Sequence, residues 1–176
     1  MAGAHDVRSS APVARDRLYL IPFLFPWIGA LPSEDLQGFL LLSGASLIPG
    51  LVDESIRWTT PVKTFMRTVT EDVEFAGRSL KTNDWLMLCY ASGNRDEEVF
   101  EAPDAFRVDR KPNKHLAFGY GAHLCLGQHL AKMEMRILWE ELIPQLKSVE
   151  LDGTPAMSEA VFVNGPKRLP IRFELQ

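Results

Sequence analysis

The sequence has few cysteines, no excess of positive charge and no long apolar run. Only two of its 176 residues are cysteine, too few for the disulfide framework that stabilises many small secreted domains. Against 19 basic residues stand 23 acidic ones, and the net charge is -4. This balance gives no reason to expect nucleic acid or an anionic membrane as a partner. We therefore expect a cytoplasmic protein, kept in a reducing compartment.

An uncharged, largely apolar stretch, from Leu18 to Leu31, is interrupted by Pro22 and Pro26. It is shorter than the roughly 20 apolar residues of a membrane-spanning helix. Asp16 lies where a secretory signal carries its basic start, and no clean cleavage pattern follows the stretch. We predict neither a membrane span nor a signal peptide, and residues 1–45 stay unassigned because no helical or strand period is visible there.

The most informative segment runs from Phe118 to Gly127 and places Cys125 in a glycine-punctuated loop before a predicted helix. A cysteine binds metal as the thiolate, and a helix N-terminus just after it favours that charge. Gly121 permits a backbone conformation that other residues avoid, and Gly127 allows the helix to lie flat against a large planar ligand. The pattern indicates a thiolate that binds the iron of a haem.

Two other interpretations of this loop stay open. A lone cysteine is more often a small buried apolar residue than a ligand. Cys125 with His123 and His129 could also be an incomplete zinc site, although zinc needs three or four protein ligands. The second cysteine, Cys89, lies in an apolar run of strand length.

The segment Phe118–Gly127 resembles the haem-binding signature of the cytochrome P-450 family, F-x-x-G-x-H-x-C-x-G, with every fixed position filled. The resemblance covers residues 46–176. It implies an α+β fold, mainly α, with long helices and small antiparallel sheets, of which this region is the C-terminal haem-binding part. It also implies haem b (iron protoporphyrin IX) with Cys125 as the proximal iron ligand, Phe118 as a shield for the sulfur, and Gly119 in the cofactor-binding loop.

The hydrophobic pattern predicts the elements of this region. A helix is predicted over residues 46–58, and a longer helix from Leu126 to about Pro144 carries an apolar stripe expected to face the core. The stripe consists of Leu126, Leu130, Met133, Ile137, Leu138 and Leu142. Strands are predicted at 72–75, 79–82 and 84–90, a short helix at 94–100, coil at 103–113, and a terminal strand pair after a turn at 164–166.

Glu54 and Arg57 stand three positions apart on the first predicted helix and can pair on one face. Such spacing by itself favours a surface ion pair. The resemblance implies instead the buried E-x-x-R pair of the family, which braces the loop that leads to the cysteine. A third partner is expected from the coil before the cysteine, where Ala105 stands in place of the usual arginine; Arg107 or Arg110 could substitute.

The resemblance also implies which side chains bind the edge of the haem. Its two propionates need cations or other donors, best as charge-assisted hydrogen bonds. Arg67 and His123 match family positions with this role, and His115 is a third candidate. Arg67 taken alone could equally be a solvated charge on a strand.

Two more surfaces are implied. The apolar segment Val62–Phe65, together with Phe162 and Val163, is expected to line the substrate pocket or, equally, to belong to the core. Gln128 and Lys132 match positions near the docking site of an electron donor, a ferredoxin or flavodoxin that relays electrons from NAD(P)H. A solvated helix face is the equally good alternative for this pair.

Upstream of residue 46 the resemblance nearly disappears. Complete family members carry an A-G-x-[acid]-T signature that delivers protons to bound oxygen. Ala2–Asp6 resembles its first half, with Asp6 as the acid, but Val7 takes the place of the threonine and cannot relay a proton. We therefore expect the chain to be the C-terminal part of a monooxygenase, with residues 7–45 displaced by a shifted reading frame or a rearrangement.

The activity implied by the resemblance is insertion of one oxygen atom from O₂ into a C–H bond of an apolar small molecule. The segments 142–151 and 162–167 resemble most the terpene-alcohol hydroxylases of the family. One alternative is a truncated chain that binds haem without turnover, or a fragment that neither binds haem nor catalyses a reaction. Another is a haem-thiolate isomerase or peroxygenase-like enzyme, which would need no proton relay.

Overall fold

The computed structural model describes residues 45–176. The predictions for Ala2–Asp6, Val7 and the stretch Leu18–Leu31 lie outside the described residues. A short 3-10 helix, Ala45–Leu47, leads into the first α-helix, α1, at Ile48–Thr59. The α1 helix has Pro49 in its first turn, where a backbone N–H would have no helical partner, so its absence costs no hydrogen bond. Thr60 caps the C-terminal end: its backbone is left-handed, and its amide donates to the Ile56 carbonyl.

Two further α-helices follow. A single turn, α2, spans Tyr90–Gly93, and the long helix α3 spans Gln128–Leu142. Short 3-10 helices at Gly121–His123 and Ile143–Gln145 precede and follow α3. Among the described residues no helix is long and apolar enough to cross a membrane.

The strands form four two-stranded antiparallel sheets within residues 45–176. In the first sheet β1 (Thr64–Thr68) pairs with β4 (Trp85–Cys89). In the second sheet β2 (Val73–Phe75) pairs with β3 (Arg78–Leu80). In the C-terminal part β5 (Leu146–Leu151) pairs with β8 (Ile171–Leu175), and β6 (Ala156–Met157) pairs with β7 (Pro166–Arg168). Helices with small antiparallel sheets are the architecture predicted from the sequence.

Two predicted elements are wrong. Residues 94–100, predicted as a short helix, form turns, because Asn94 closes α2 and its side chain bonds to Thr60 and to the Leu116 amide. The terminal strand is present, but its partner is β5 and not a strand across the turn at 164–166. The strand after that turn, β7, pairs with β6 instead.

The core lies between α1, α3 and β5. It consists of Ile48, Leu51, Val52, Ile56, Ala117, Met135, Trp139, Leu146 and Val149. The predicted core stripe of α3 is mostly on the wrong face: Leu126, Leu130, Met133 and Ile137 are exposed, while Leu138 and Leu142 pack at the edge of the core. The α3 helix has two apolar faces, and α1 covers the one that carries Met135 and Trp139.

Candidate functional site

A closed loop holds Cys125 in front of α3. The Cys125 amide donates to the Phe118 carbonyl at 2.9 Å, and the amide of Gln128, the first residue of α3, donates to the Cys125 carbonyl at 3.3 Å. Ala117 is buried in the core and anchors the start of the loop. Cys125 itself is exposed and forms no disulfide. The loop therefore presents an unbonded sulfur at the N-terminus of a helix, where negative charge is favoured.

Glycine is needed at two positions of this loop. Gly119 and Gly121 have φ of 76° and 69°, in the left-handed region that other residues rarely enter. The special backbone predicted for Gly121 is thus present. At Gly127 a side chain would begin 3.9 Å from the Cys125 sulfur. Its absence leaves the surface next to the sulfur bare.

A cavity of about 550 Å³ opens beside Cys125. This volume lies within the range of roughly 300–1,000 Å³ found for small-molecule sites. Each neighbouring element contributes side chains to a largely apolar wall. They include Ser55, Ile56 and Thr59 of α1, Phe65 and Arg67 of β1, Phe118, His123 and Cys125 of the loop, and Ala131 and Met135 of α3.

Two of the three predicted propionate-binding side chains, Arg67 and His123, line this cavity. The Arg67 guanidinium donates to the Met66 carbonyl at 2.9 Å. His115 is placed differently from the prediction: it is not among the lining residues, its side chain is buried, and its Nε2 atom lies 4.0 Å from Asp53 Oδ1. The coil packs His115 against α1, so Arg67 and His123 are the donors that reach the cavity.

The predicted substrate-pocket residues are brought together from opposite ends of the described region. Val62 forms an isolated β-bridge with Val163. The rings of Phe65 and Phe162 meet edge to face at 5.2 Å between centroids. Val62 and Phe65 line the cavity directly, whereas Phe162 contacts the Phe65 ring and is not among the lining residues. The C-terminal turn therefore helps to shape this wall.

Glu54 and Arg57 form a fully buried pair with two parallel bonds. Arg57 donates from Nε to Glu54 Oε2 at 2.8 Å and from Nη2 to Oε1 at 2.7 Å. Its remaining N–H groups donate to the carbonyls of Asn94, Pro103 and Ala105. The surface ion pair that the spacing alone favoured is wrong, because both side chains are inaccessible to solvent.

Arg110 is the third member of this cluster. Its Nε bonds to both oxygens of Glu54, at 3.2 and 3.1 Å, and its Nη atoms bond to the carbonyls of Glu101, Ala102 and Ala105. Arg107 contributes only its amide, at 2.9 Å from Glu54 Oε1, while its side chain pairs with Asp109 and Glu101 at the surface. Of the two arginines proposed from the sequence, Arg110 is the one whose side chain takes the place of the arginine expected at position 105.

These donors set the protonation state of Glu54. Burial by itself raises the pKa of this carboxyl, but the hydrogen bonds from Arg57, the Arg107 amide and Arg110, with the charge of Arg57, outweigh it and hold the pKa below its ordinary value. Glu54 is therefore ionised at neutral pH. Its carboxylate ties α1 to the coil that leads to the cysteine loop.

Asn94 joins the same coil to α1 and was missed by the sequence analysis. It is fully buried. Its Nδ2 donates to Thr60 Oγ1 at 2.8 Å, its Oδ1 accepts from the Leu116 amide at 2.6 Å, and its carbonyl accepts from Arg57. An asparagine within a charged stretch carries no signal of burial in the sequence, because its partners come from two distant segments, the end of α1 and the coil at Leu116.

The predicted electron-donor face is only partly available. Gln128 is half-buried at the start of α3. The ammonium of Lys132 lies 2.8 Å from Asp53 Oδ1, and both side chains are about one-third exposed. Lys132 is thus already paired within the chain.

The residues around the cavity fit a haem bound through Cys125. They combine one free thiol, an apolar wall, a bare surface at Gly127 and two donors, Arg67 and His123. Ser55 lines the cavity, and its buried hydroxyl has no hydrogen-bond partner among the described residues. Within residues 45–176 no group of three or more His, Cys, Asp or Glu side chains could hold a metal ion, which speaks against a zinc site there.

A single free thiol at the start of a helix, beside an apolar cavity, is the arrangement expected of a haem-thiolate protein. Residues 46–173 match the family model described as Cytochrome P450. The chain is 60% identical over 134 residues to Cytochrome P450-terp of a Pseudomonas species. The matched region covers 76% of this chain and 31% of that protein. The chain is 43% identical over 135 residues to a steroid C26-monooxygenase of Mycolicibacterium smegmatis, covering 76% and 34%.

A solved structure shows the same fold. CYP108D1 from Novosphingobium aromaticivorans superposes with a TM-score of 0.71 at 47% identity, over 74% of this chain and 32% of that one. The chain belongs to the cytochrome P450 family, whose members are haem-containing monooxygenases. It spans about a third of the length of the curated relatives named above.

Proposed function

We propose that residues 46–176 are the haem-binding part of a monooxygenase that hydroxylates an apolar, terpene-like molecule, with Cys125 as the iron ligand. The observation that carries the proposal is the position of Cys125: an unpaired sulfur at the start of α3, beside an apolar cavity of about 550 Å³. When bound, the haem supplies the oxygen chemistry. The residues of the chain hold it, exclude water and tune its iron.

Each group near the cavity has a distinct part in this proposal. Cys125 donates electron density to the iron as a thiolate, and Phe118 shields the sulfur from water. Arg67 and His123 bind the propionates from the polar edge. Glu54 and Arg57, with Arg110, keep the loop in place without touching the reacting atoms.

A terpene-like substrate is supported by the 60% identity to Cytochrome P450-terp. Val62 and Phe65, which line the cavity, offer an apolar surface to such a molecule. The relatives also include steroid C26-monooxygenases and a methyl-branched lipid omega-hydroxylase. These substrates share an apolar hydrocarbon skeleton and differ in size. The turnover test must therefore distinguish substrates by their size.

Electrons are proposed to come from NAD(P)H through a ferredoxin or flavodoxin. A basic helix face steers an acidic partner to its docking site. Lys132 would meet such a partner only in competition with Asp53, to which it is paired. We therefore expect the affinity for the electron donor to fall with rising salt.

A second candidate function is haem binding without turnover. It is favoured by Val7, which stands in place of the threonine of the oxygen-activating signature and cannot relay a proton. The exposed apolar residues just before and within α3, Leu126 and Leu130 among them, would then drive association with another chain. Asp6, the proposed remnant of the oxygen-activating signature, would have no catalytic part.

Absorption spectroscopy tests the ligand assignment. The reduced, carbon monoxide-bound protein should give a thiolate-type spectrum, which Cys125→Ala should lose without loss of the fold. Cys89→Ala is the matched control, because Cys89 is the other free, exposed cysteine and should leave the spectrum unchanged. A thiolate spectrum that survives in Cys125→Ala would show the assignment to be wrong.

Turnover separates the two candidate functions. Purified protein is supplied with monoterpene alcohols, a steroid, NADH and surrogate ferredoxin and ferredoxin reductase, beside an inactive Cys125→Ala control. Product that depends on Cys125 supports the monooxygenase, and a preference for the monoterpene supports the substrate class. A thiolate spectrum without product from any substrate supports haem binding alone.

A further inference from the structure

Lys132 lies between an acidic side chain of α1 and an aromatic ring of the cysteine loop. Its Nζ atom is 2.8 Å from Asp53 Oδ1 and 5.8 Å from the centroid of the Phe118 ring. The second distance is within the range of a cation–π contact. The three side chains, which we call the clamp, connect α1, α3 and the loop.

The clamp reaches the cavity through Phe118. The Phe118 carbonyl accepts the hydrogen bond from the Cys125 amide at 2.9 Å, and both residues line the cavity. Lys132 is only one-third exposed, so solvent screens its charge less than that of a fully exposed lysine. A charge held on this ring therefore lies beside the loop that carries Cys125.

His115 packs against the clamp without replacing Lys132 in it. Its ring centroid is 5.9 Å from that of Phe118, and its Nε2 atom is 4.0 Å from Asp53 Oδ1. Burial, and then the charge of Lys132, lower its pKa to about 4, against opposing effects of Asp53 and Glu54 and a smaller lowering by Arg57. The imidazole is thus neutral at pH 7, and Lys132 is the cation that Asp53 holds.

We propose that Asp53 is a positioning residue that holds the Lys132 ammonium on the face of Phe118, where its charge raises the reduction potential of an iron bound at Cys125. The inference rests on the proposed haem-thiolate function. A nearby positive charge favours the state that has gained an electron. Asp53 opposes this by its own charge, but it contacts Lys132 and His115 and is not among the residues that line the cavity.

The sign of the potential shift distinguishes a positioning role from a simple charge effect. In haem-loaded protein at low salt, Lys132→Gln should shift the midpoint potential to a more negative value. Asp53→Asn should shift it in the same direction, because Lys132 then leaves the ring, and the double variant should match Lys132→Gln. A positive shift in Asp53→Asn, as expected when only a negative charge is removed, or no shift in either variant, would overturn the proposal.

Two further variants control for the substitution itself. Asp53→Glu keeps the carboxylate and should restore most of the parent potential. Arg136 and Glu140 form an exposed i, i+4 ion pair on the same helix, and Arg136→Gln should leave the potential unchanged. An equal shift in Arg136→Gln would show that any charge on α3 has this effect and would overturn the specific role of Asp53.

A measurement that needs no haem tests the clamp separately. In limited amine labelling of haem-free protein followed by mass spectrometry, Lys132 should react several-fold more slowly than the exposed Lys114, and Asp53→Asn should abolish the difference. Equal rates in the parent protein would overturn the clamp. If the clamp is present but the parent forms no thiolate complex, the proposed function fails and the effect on the potential fails with it.

Discussion

Replacement of Glu54 by glutamine should destabilise the fold more than any other removal of a carboxylate among the described residues. The glutamine keeps the shape of the side chain but not its charge, and Arg57 and Arg110 would both be left buried without a counter-charge. Breaking a buried ion pair by removing one partner costs about 3–5 kcal/mol. For a chain of this size that lowers the melting temperature by roughly 6–20 °C.

The assay is thermal unfolding of haem-free protein followed by circular dichroism, so that the result does not depend on cofactor loading. Glu101→Gln is the matched control: its carboxylate also pairs with an arginine, Arg107 at 3.1 Å, but is 88% exposed. That variant should unfold at the temperature of the parent, because exposed ion pairs contribute little. Equal midpoints for Glu54→Gln, Glu101→Gln and the parent would refute the bracing role of the buried cluster.

The pH dependence of stability gives a second check on Glu54. Its pKa in the folded state lies below the ordinary value of 4.5, so the unfolded chain binds the proton more readily. The stabilisation is complete above that ordinary value and is lost as the pH falls through the lower, folded-state pKa. Glu54→Gln should lack this acid-dependent component.

Three other predictions concern the elements that hold the cysteine loop. Gly50→Ala, which in an ordinary helix would stabilise by about 1 kcal/mol, should instead destabilise, because the new Cβ meets the Val108 carbonyl oxygen; urea unfolding measures the sign. His115 has a folded-state pKa of about 4 against 6.5, so roughly 3 kcal/mol of stability should be lost between pH 6.5 and 4; His115→Gln should flatten that part of the pH profile. Arg110→Lys should lower the melting temperature, since a lysine cannot bond both to Glu54 and to the coil carbonyls; an unchanged value would contradict the role of the third arginine.

The local sequence determined much of the geometry of the cysteine loop. Cys125, Gly121 and Gly127 lie within one short segment, so their spacing by itself predicts the loop, its left-handed backbone and its place before α3. The pair Glu54 and Arg57 is also local, one helical turn apart. These residues predict membership of the cytochrome P450 family, and the match of residues 46–173 to the family model confirms it.

Tertiary structure decided which side chains complete the site. The sequence left Arg107 and Arg110 as equal candidates, and only the path of the coil brings the Arg110 guanidinium to Glu54. It offered His115 as a propionate ligand, but the packed coil turns this side chain towards Asp53.

The faces of α3 show the same division. A helical period marks apolar residues but does not say which of two apolar faces is covered. The predicted stripe through Leu130 and Ile137 is exposed in the described part of the chain, while Met135 and Trp139 pack against α1. The period is a property of nearest neighbours along the helix. The burial of a helix face depends on segments that are distant in the sequence and pack against it in the fold. The pattern of one helix does not identify those segments.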